Sequence, residues 1–310
     1  MKDKFKKKSF LRRLLMPLPE VEQYFRDLRK YQYEQNEQIK GIKIRKKVHK
    51  FTVLLLKLNR IFIHQSLTII NDKRIKNNKP KIYAVTHVGR YDIEITIEAL
   101  HDNALFFWGD PHEVYKRPEY LLVNTIGAIF VDTWDKTDRH ISKETMVKVL
   151  EQGGNVQIYP EGAWNLTSNQ VVMPLYTGAV EAAIRAGADI IPVAVEWYDK
   201  DYFVNIGWNI DCSHMKLDNK KEESAKLRDI MCTLKWEIWE RHGIEKRSDV
   251  PVDFEKTFID NIMKDSDNGY AVEEIERTRY QDRNVTTHEE AFAFMEQLEP
   301  NRRNAFLWRR

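Results

Sequence analysis

The chain has 310 residues, of which 42% are hydrophobic and 31% are charged, with 12 glycines and 10 prolines. At roughly 100–200 residues per domain, this length predicts one large domain with extensions, and the apolar fraction excludes a wholly disordered chain. The two cysteines, Cys212 and Cys232, cannot build a disulfide framework and do not form a CxxC pair. A reducing, cytoplasmic setting is therefore the simplest expectation.

Positive charge is concentrated in residues 1–80. They contain 22 Lys and Arg against 7 Asp and Glu, whereas residues 81–310 contain 28 against 40, and the whole chain has a net charge of +3. This split indicates a basic region directed at an anionic surface, either lipid headgroups or a nucleic acid. A solvated basic helix without a partner is the alternative.

The same region has no stretch that resembles a membrane span or a signal peptide. Its best apolar run, Phe51–Leu56, is followed by Lys57 and is far shorter than the ~20 apolar residues of a span. The basic N-terminus lacks a small-residue cleavage site. We therefore expect residues 1–80 to be a basic helical region with a possible arm that docks peripherally on the inner face of a membrane.

Prolines and apolar spacing predict the helices of this region. Pro17 and Pro19 separate an N-terminal arm from a helix at about Val21–Gln38. The stretch Phe51–Ile70 is predicted as a helix, although its pattern also has strand-like character. Asn71–Pro80 is predicted as a polar, turn-rich connection.

From residue 81 to about 210, short β-branched runs alternate with helical patterns. The predicted strands are Lys81–Thr86, Ala104–Trp108, Ala128–Asp132, Asn155–Tyr159, Ile190–Trp197 and Tyr202–Trp208. The predicted helices lie at about 92–102, 113–124, 139–152 and 174–187. This alternation predicts an α/β core at 81–210, with a largely parallel mixed sheet flanked by helices.

After residue 210 the strand patterns stop. Residues 211–310 are predicted as a helical C-terminal extension that packs on the core, with one long helix at Lys216–His242 and another at 288–299. The aromatic side chains predicted to pack in this extension are Trp236, Trp239 and Trp308.

The segment Thr86–Asp92 places a histidine and a carboxylate after a predicted strand. Functional sites of α/β sheets lie at the carboxyl ends of strands. His87 and Asp92 are five residues apart, and Gly89 permits a turn that would bring them together. An imidazole oriented by a carboxylate is a general base suited to neutral pH. The alternative is that Asp92 caps the next helix and His87 is an ordinary strand-end histidine.

A second predicted strand ends in the sequence Tyr-Pro-Glu-Gly. Pro160 ends the strand and Gly162 permits close backbone approach, so Glu161 is left at the strand end. Backbone N–H groups in such a turn can bind an anion or a developing oxyanion. A plain Pro-Glu-Gly turn is the alternative.

Four blocks in this order resemble the glycerolphosphate/lysophospholipid acyltransferase family, and in particular its 1-acylglycerol-3-phosphate acyltransferases. His87–Asp92 fits the H-x-x-x-x-D motif, and Gly127–Asp132 resembles the second block, G-x-I-F-I-D. Tyr159–Gly162 is similar to F-P-E-G, and Ile191–Val195 resembles the last block, an apolar strand with a proline. The blocks together cover about residues 80–198.

The resemblance implies transfer of a fatty acyl group from an acyl-CoA or acyl carrier protein thioester to a hydroxyl of a lysophospholipid or related acceptor. It implies that His87 deprotonates this hydroxyl and that Asp92 orients the imidazole. Glu161 and Gly162 would help to position the acceptor, with no metal and no bound cofactor. Because the lipid acceptor lies at a membrane, the family also fits a cytoplasmic protein associated peripherally with an anionic membrane surface.

The chain departs from the family's usual residues in the first block, at Thr86 and Gly89, and in the second and third blocks. Thr133 lies where the second block usually ends in arginine, and Ala163–Asn165 lies where the third usually continues Thr-Arg-Ser. Since a guanidinium binds phosphate bidentately, another cation could replace these arginines. Trp164 and Asn165 could instead line a site for a less charged acceptor, such as a sugar or glycolipid hydroxyl. The replacement cations, unless they are plain surface charges, are Arg90, Lys136 and Arg139.

Other classes of protein share some of these features. A metal hydrolase could combine the same histidine and aspartate with His101, Asp110 or His112, but the chain has no HExxH and no tight metal-ligand pattern. A nucleic-acid binder could use the basic region, but the acidic remainder would repel a phosphate backbone, so we expect no nucleic-acid partner. A catalytically inactive membrane- or nucleic-acid-binding scaffold is the remaining alternative.

Overall fold

The fold is built on one sheet of eight strands. The computed structural model describes residues 5–37, 39, 41–89, 91–109, 111, 114–117, 119–168, 170–243, 247–264 and 270–280. The strands are β1 (Ser66–Asp72), β2 (Lys81–Val85), β3 (Ala104–Gly109), β4 (Ala128–Val131), β5 (Asn155–Ile158), β6 (Asp189–Tyr198), β7 (Asp201–Ile206) and β8 (Ile210–Asp211). Their order is β1-β7-β6-β2-β5-β3-β4, with β8 on β6. All pairs are parallel except β6–β7 and β6–β8, which confirms the predicted largely parallel mixed sheet.

Helices cover both faces of this sheet. They are α1 (Phe10–Leu14), α2 (Leu18–Glu34), α3 (Ile42–Phe62), α4 (Asp92–Leu100), α5 (Glu119–Ile126), α6 (Lys136–Glu151), α7 (Gly178–Ala186), α8 (Lys220–His242), α9 (Phe254–Lys264) and α10 (Val272–Thr278). Along β2 the side chains alternate between faces. Ile82 and Ala84 pack with α6, α7 and α8, whereas Tyr83 and Val85 pack with α4. No helix among the described residues has both the length and the apolar character needed to cross a membrane.

The prediction for Phe51–Ile70 is wrong in its second half. Helix α3 ends at Phe62, His64 has a φ of 58°, and the chain then enters β1. The β-branched run Thr68-Ile69-Ile70 favours a strand, but a strand forms here only because it pairs with β7, which begins at Asp201. The residues near β1 do not indicate this pairing, because its partner lies more than 130 residues further along the chain. The helix predicted at 288–299 and Trp308 lie outside the described residues.

The first helices pack on the core through aromatic side chains. The rings of Phe25 and Tyr115 stack with centroids 4.0 Å apart. The guanidinium of Arg13 lies 5.0 Å from the Phe25 ring centroid and 5.1 Å from that of Tyr120. Part of the positive charge of residues 1–80 therefore contributes to packing rather than to the surface field.

The C-terminal extension reaches the carboxyl end of the sheet. Helix α8 packs on β6, where Ala194 contacts Leu234 and Ile238 in one apolar cluster. Beyond it, Ile262 of α9 and Ile275 of α10 are buried against Ala163. Helices α9 and α10 thus cover the edge at which β2 and β5 end.

A buried ion pair joins α2 to the start of α6. Arg29 donates through Nε to Oδ1 and through an Nη to Oδ2 of Asp138, both at 2.7 Å, and donates through its other Nη to the Tyr115 hydroxyl at 2.6 Å. Asp138 is 2% exposed and also accepts from the backbone N–H of Asp132. This carboxylate therefore connects α2, α6 and the end of β4.

We predict that Arg29→Met lowers the free energy of unfolding by about 3–5 kcal/mol, because it leaves the Asp138 carboxylate buried without its cation. The double variant Arg29→Met, Asp138→Leu should recover part of that loss. Arg185→Met removes a more exposed pair with Glu144 and should cost less than about 1 kcal/mol. Urea unfolding measures all three, and equal losses in Arg29→Met and Arg185→Met would contradict the prediction.

Candidate active site

The candidate site lies where β2 and β5 end side by side. These strands pair in parallel, with Ala84 opposite Ile158, so the segments that follow them leave at the same edge of the sheet. The backbone N–H of His87 donates to Oε1 of Glu161 at 2.9 Å, and the N–H of Met173 donates to Oε2 at 2.7 Å. The two predicted motifs are therefore in direct contact.

The imidazole of His87 and the carboxylate of Asp92 form a hydrogen-bonded pair. His87 Nδ1 lies 2.8 Å from Asp92 Oδ2. The same oxygen accepts from the backbone N–H groups of Val88 at 2.9 Å and Gly89 at 3.0 Å. Gly89 has a φ of +79°, which turns the chain back so that the first residue of α4 faces the histidine. Asp92 therefore holds the turn and orients the imidazole at once.

Aromatic rings hold the other sides of the imidazole. The Tyr159 ring stacks on His87 with centroids 4.2 Å apart and an interplanar angle of 27°, and Trp164 approaches edge-on at 6.2 Å. Because the carboxylate accepts from Nδ1–H, Nε2 carries the lone pair in the neutral ring. The His87 side chain is 16% exposed and borders a cleft.

The cleft has a volume of about 140 Å³ and two walls of different origin. One wall comes from the carboxyl ends of strands and the loops after them. The other comes from the C-terminal extension. The strand-end residues include His87, Gly109, Thr133, Trp134, Gly162, Ala163 and Trp164, and those of the extension are Tyr270, Glu274, Ile275 and Thr278.

The two residues of the Glu-Gly turn have different positions. Gly162 lines the cleft with a φ of +76°, and a Cβ there would collide with the ring of Tyr176. Glu161 is 1% exposed and both of its carboxylate oxygens accept backbone N–H groups. Glu161 therefore fixes the backbone around the cleft, and its side chain does not line it.

The two described replacement cations, Arg139 and Lys136, differ in their relation to the cleft. Arg139 donates to the backbone carbonyl of Thr133, which places its guanidinium beside the cleft. Lys136 is exposed at the start of α6 and is not among the cleft residues. Arg90 lies outside the described residues. Asn165 is 4% exposed and donates to the Gln170 carbonyl at 2.9 Å, so it stabilises its own loop rather than lining the cleft.

Several residues of the site were not predicted from the sequence. Trp134 follows β4, so its strand-end position was a signal that could have identified it. Tyr159 belongs to the third block, but its stacking on His87 depends on the pairing of β2 with β5. Tyr270 lies more than 180 residues from the histidine and carries no local signal.

Within the described part of the chain, no group of three or more His, Cys, Asp and Glu side chains is arranged to hold a metal ion. Asp110 and His112, the further ligands of a metal-hydrolase interpretation, lie outside the described residues.

The electrostatic environment of Glu161 opposes its ionisation. Burial raises the pKa of the Glu161 carboxyl above its ordinary value, while the charge of Lys235 and the two backbone donors act in the opposite direction. Lys235 is itself buried, with its Nζ 3.4 Å from Oε2 of Glu196. Because the folded state binds the Glu161 proton more tightly than the unfolded chain, this group makes stability fall as the pH rises.

We therefore predict a pH-dependent difference between the wild type and Glu161→Gln, which cannot ionise. As the pH rises from about 4, near the ordinary glutamate pKa, to about 7, the wild type should lose stability relative to the variant. Urea unfolding of both proteins across this range measures the difference. A difference that grows in favour of the wild type would contradict the raised pKa.

Comparison with known proteins agrees with this architecture. Residues 66–196 match the family model described as Acyltransferase. A 1-acyl-sn-glycerol-3-phosphate acyltransferase of Haemophilus influenzae is 27% identical over 161 residues, which are 48% of this chain and 66% of that protein. The chain thus spans just under two thirds of this relative's length.

The fold also matches a solved structure. The crystal structure of the 1-acyl-sn-glycerophosphate (LPA) acyltransferase PlsC of Thermotoga maritima superposes with a TM-score of 0.53 and 14% identity, covering 69% of this chain and 88% of that one. The residues that match the family model, 66–196, contain β1 to β5, most of β6, the histidine–aspartate pair and the Glu161 turn. Over residues 66–196, the chain is therefore similar in sequence to the acyltransferase family, and its fold is similar to that of a solved 1-acyl-sn-glycerophosphate acyltransferase.

Proposed function

We propose that this protein transfers a fatty acyl group from an acyl-CoA or acyl carrier protein thioester to a hydroxyl of a lysophospholipid. The observation that carries the proposal is the His87–Asp92 pair, held at 2.8 Å with the imidazole bordering the cleft. The match to the acyltransferase family and the relative named as a 1-acyl-sn-glycerol-3-phosphate acyltransferase support the reaction class.

The chemistry follows from the orientation of the imidazole. Nε2 of His87 accepts the proton of the acceptor hydroxyl, while the oxygen of that hydroxyl attacks the thioester carbonyl. The tetrahedral intermediate expels the thiolate, which receives the proton from the imidazolium, so an ester and a free thiol result. The Asp92 carboxylate stabilises the imidazolium and needs no proton of its own. The proposed mechanism uses no protein nucleophile and no bound cofactor.

A second candidate function is acyl transfer to an acceptor without phosphate, such as a sugar or glycolipid hydroxyl. The aromatic side chains of the cleft favour it, since Trp134, Trp164 and Tyr270 offer flat apolar faces beside the histidine. The complete His87–Asp92 pair argues against an inactive scaffold. A panel of acceptors distinguishes the two enzymes.

An exposed apolar face on α3 supports peripheral docking on a membrane. Its residues recur at helical spacing, so they lie on one side of the helix. Exposed Lys47, Lys50 and Lys57 on α3 suit anionic headgroups. Helix α3 packs on α4, whose first residue is Asp92, so this α3 apolar face lies one helix away from the pair. The α3 apolar face comprises Phe51, Leu54, Leu55, Leu58, Ile61 and Phe62.

We predict that His87→Ala reduces thioester consumption in the presence of an acceptor by about 10²–10⁴-fold, because it removes the general base. Asp92→Asn should also lower turnover, because an amide that donates to Nδ1 favours the wrong tautomer, and it should cost about 1–3 kcal/mol of stability through the Val88 and Gly89 donors. His214→Ala, at an exposed histidine, is the matched control. Near-normal turnover by a folded His87→Ala variant would refute the assignment.

We predict that Leu54→Glu, Leu58→Glu together weaken binding to phosphatidylglycerol-containing vesicles by about tenfold or more, because both leucines lose apolar burial in the interface. Both side chains are more than half exposed, so the melting temperature should not fall. Leu217→Glu changes another exposed leucine in the same way and should bind like the wild type. Vesicle sedimentation measures the three proteins, and equal binding by all of them would exclude the α3 apolar face as the docking surface.

A further inference from the structure

The C-terminal strap, defined as residues 270–280, forms the outer wall of the cleft. Tyr270 donates from its hydroxyl to the Gly109 carbonyl at 3.2 Å, and Tyr176 donates to the Thr278 carbonyl at 3.0 Å. Ile275 is 7% exposed and packs in the cluster that contains Ala163. The strap is therefore attached to the end of β3 and to the loop after β5, although it lies outside the matched residues 66–196.

Two guanidinium groups lie at the rim of this cleft. The guanidinium carbon of Arg277, on the strap, lies 5.7 Å from the ring centroid of Trp134. Arg139, on α6, donates to the carbonyl of Thr133. Since Thr133 and Trp134 are adjacent and both line the cleft, the two cations reach the same part of the rim from different elements.

Neither guanidinium has a carboxylate partner among the described residues, and both side chains are exposed. Other arginines nearby are paired: Arg26 with Asp132, and Arg279 with Glu276 at 3.2 Å. Two unpaired guanidiniums can bind a phosphate group through charge-assisted, bidentate hydrogen bonds without first breaking an ion pair.

One carboxylate faces the same cleft. Glu274 lines it and accepts the backbone N–H of Ala271 at 2.9 Å, which ties one of its oxygens to the start of α10. Among the described residues that line the cleft, Glu274 is the one carboxylate, and two guanidiniums lie at the rim.

We infer that Arg277 and Arg139 bind the phosphate of the acceptor, so that the strap determines the choice of a phosphate-bearing lysolipid over a neutral one. This inference rests on the proposed function and names its substrate class. The family's second and third blocks usually carry arginines where this chain has Thr133 and Trp164. In this inference, Arg277 of the C-terminal extension supplies the positive charge that those two positions lack. Neither arginine touches the reacting atoms, so both are specificity residues rather than catalytic ones.

The test compares kcat/KM for two acceptors that differ only in phosphate, lysophosphatidate and the monoacylglycerol of the same chain. Arg277→Gln and Arg139→Gln should each lower the lysophosphatidate value by about tenfold, as expected for one charge-assisted contact at an exposed rim, and leave the monoacylglycerol value unchanged. Arg279→Gln is the matched control, since it removes the same charge two residues away. Melting temperatures identify any variant that loses its fold.

The outcomes separate the inference from the proposed function. If the wild type consumes thioester but Arg277→Gln behaves like Arg279→Gln, or if both acceptors lose activity equally, the inference is wrong and the proposed function stands. If the wild type consumes no thioester with any acceptor, the proposed function fails. Calorimetric titration with glycerol 3-phosphate then tests the rim directly. The inference is overturned if the wild type does not bind glycerol 3-phosphate, or if Arg277→Gln binds it as tightly as the wild type.

Discussion

The candidate site depends on one buried carboxylate oxygen. Oδ2 of Asp92 accepts from the imidazole of His87 and from the backbone N–H groups of Val88 and Gly89. A buried carboxylate is costly unless hydrogen bonds compensate its lost hydration, and three donors supply that compensation here. The same contacts shape the turn after β2, so the geometry of the histidine and the stability of its loop cannot be altered independently.

A second buried carboxylate fixes the facing loop. Glu161 spans the N–H groups of His87 and Met173, and thereby ties the turn after β5 to the turn after β2. Preorganisation of this kind holds the histidine in one position without a bound ligand, and in the proposed acyl transfer it would lower the cost of orientation. The raised pKa of Glu161 is the electrostatic consequence of placing this carboxyl inside the protein.

The segments on either side of residues 66–196 add two surfaces near the candidate site. On the N-terminal side, α3 adds an exposed apolar face beside α4, which suits the lysophospholipid acceptor proposed above. On the C-terminal side, the strap closes the cleft and adds Arg277 to its rim. Residues 66–196 thus contain the His87–Asp92 pair, while the segments on either side contribute the surfaces that, in the proposed function, would receive and select an acceptor.

The sequence by itself determined the α/β core, most of its strands, the blocks at 87–92 and 159–162, and the resemblance to acyltransferases, because these features are local in the chain. Only the tertiary structure decided that 66–72 is a strand, that Glu161 and Asn165 turn away from the cleft, and that Tyr270 and Arg277 border it. Each of these outcomes depends on partners far along the chain. Side-chain direction and sheet pairing are set by such contacts, and residue spacing carries no record of them.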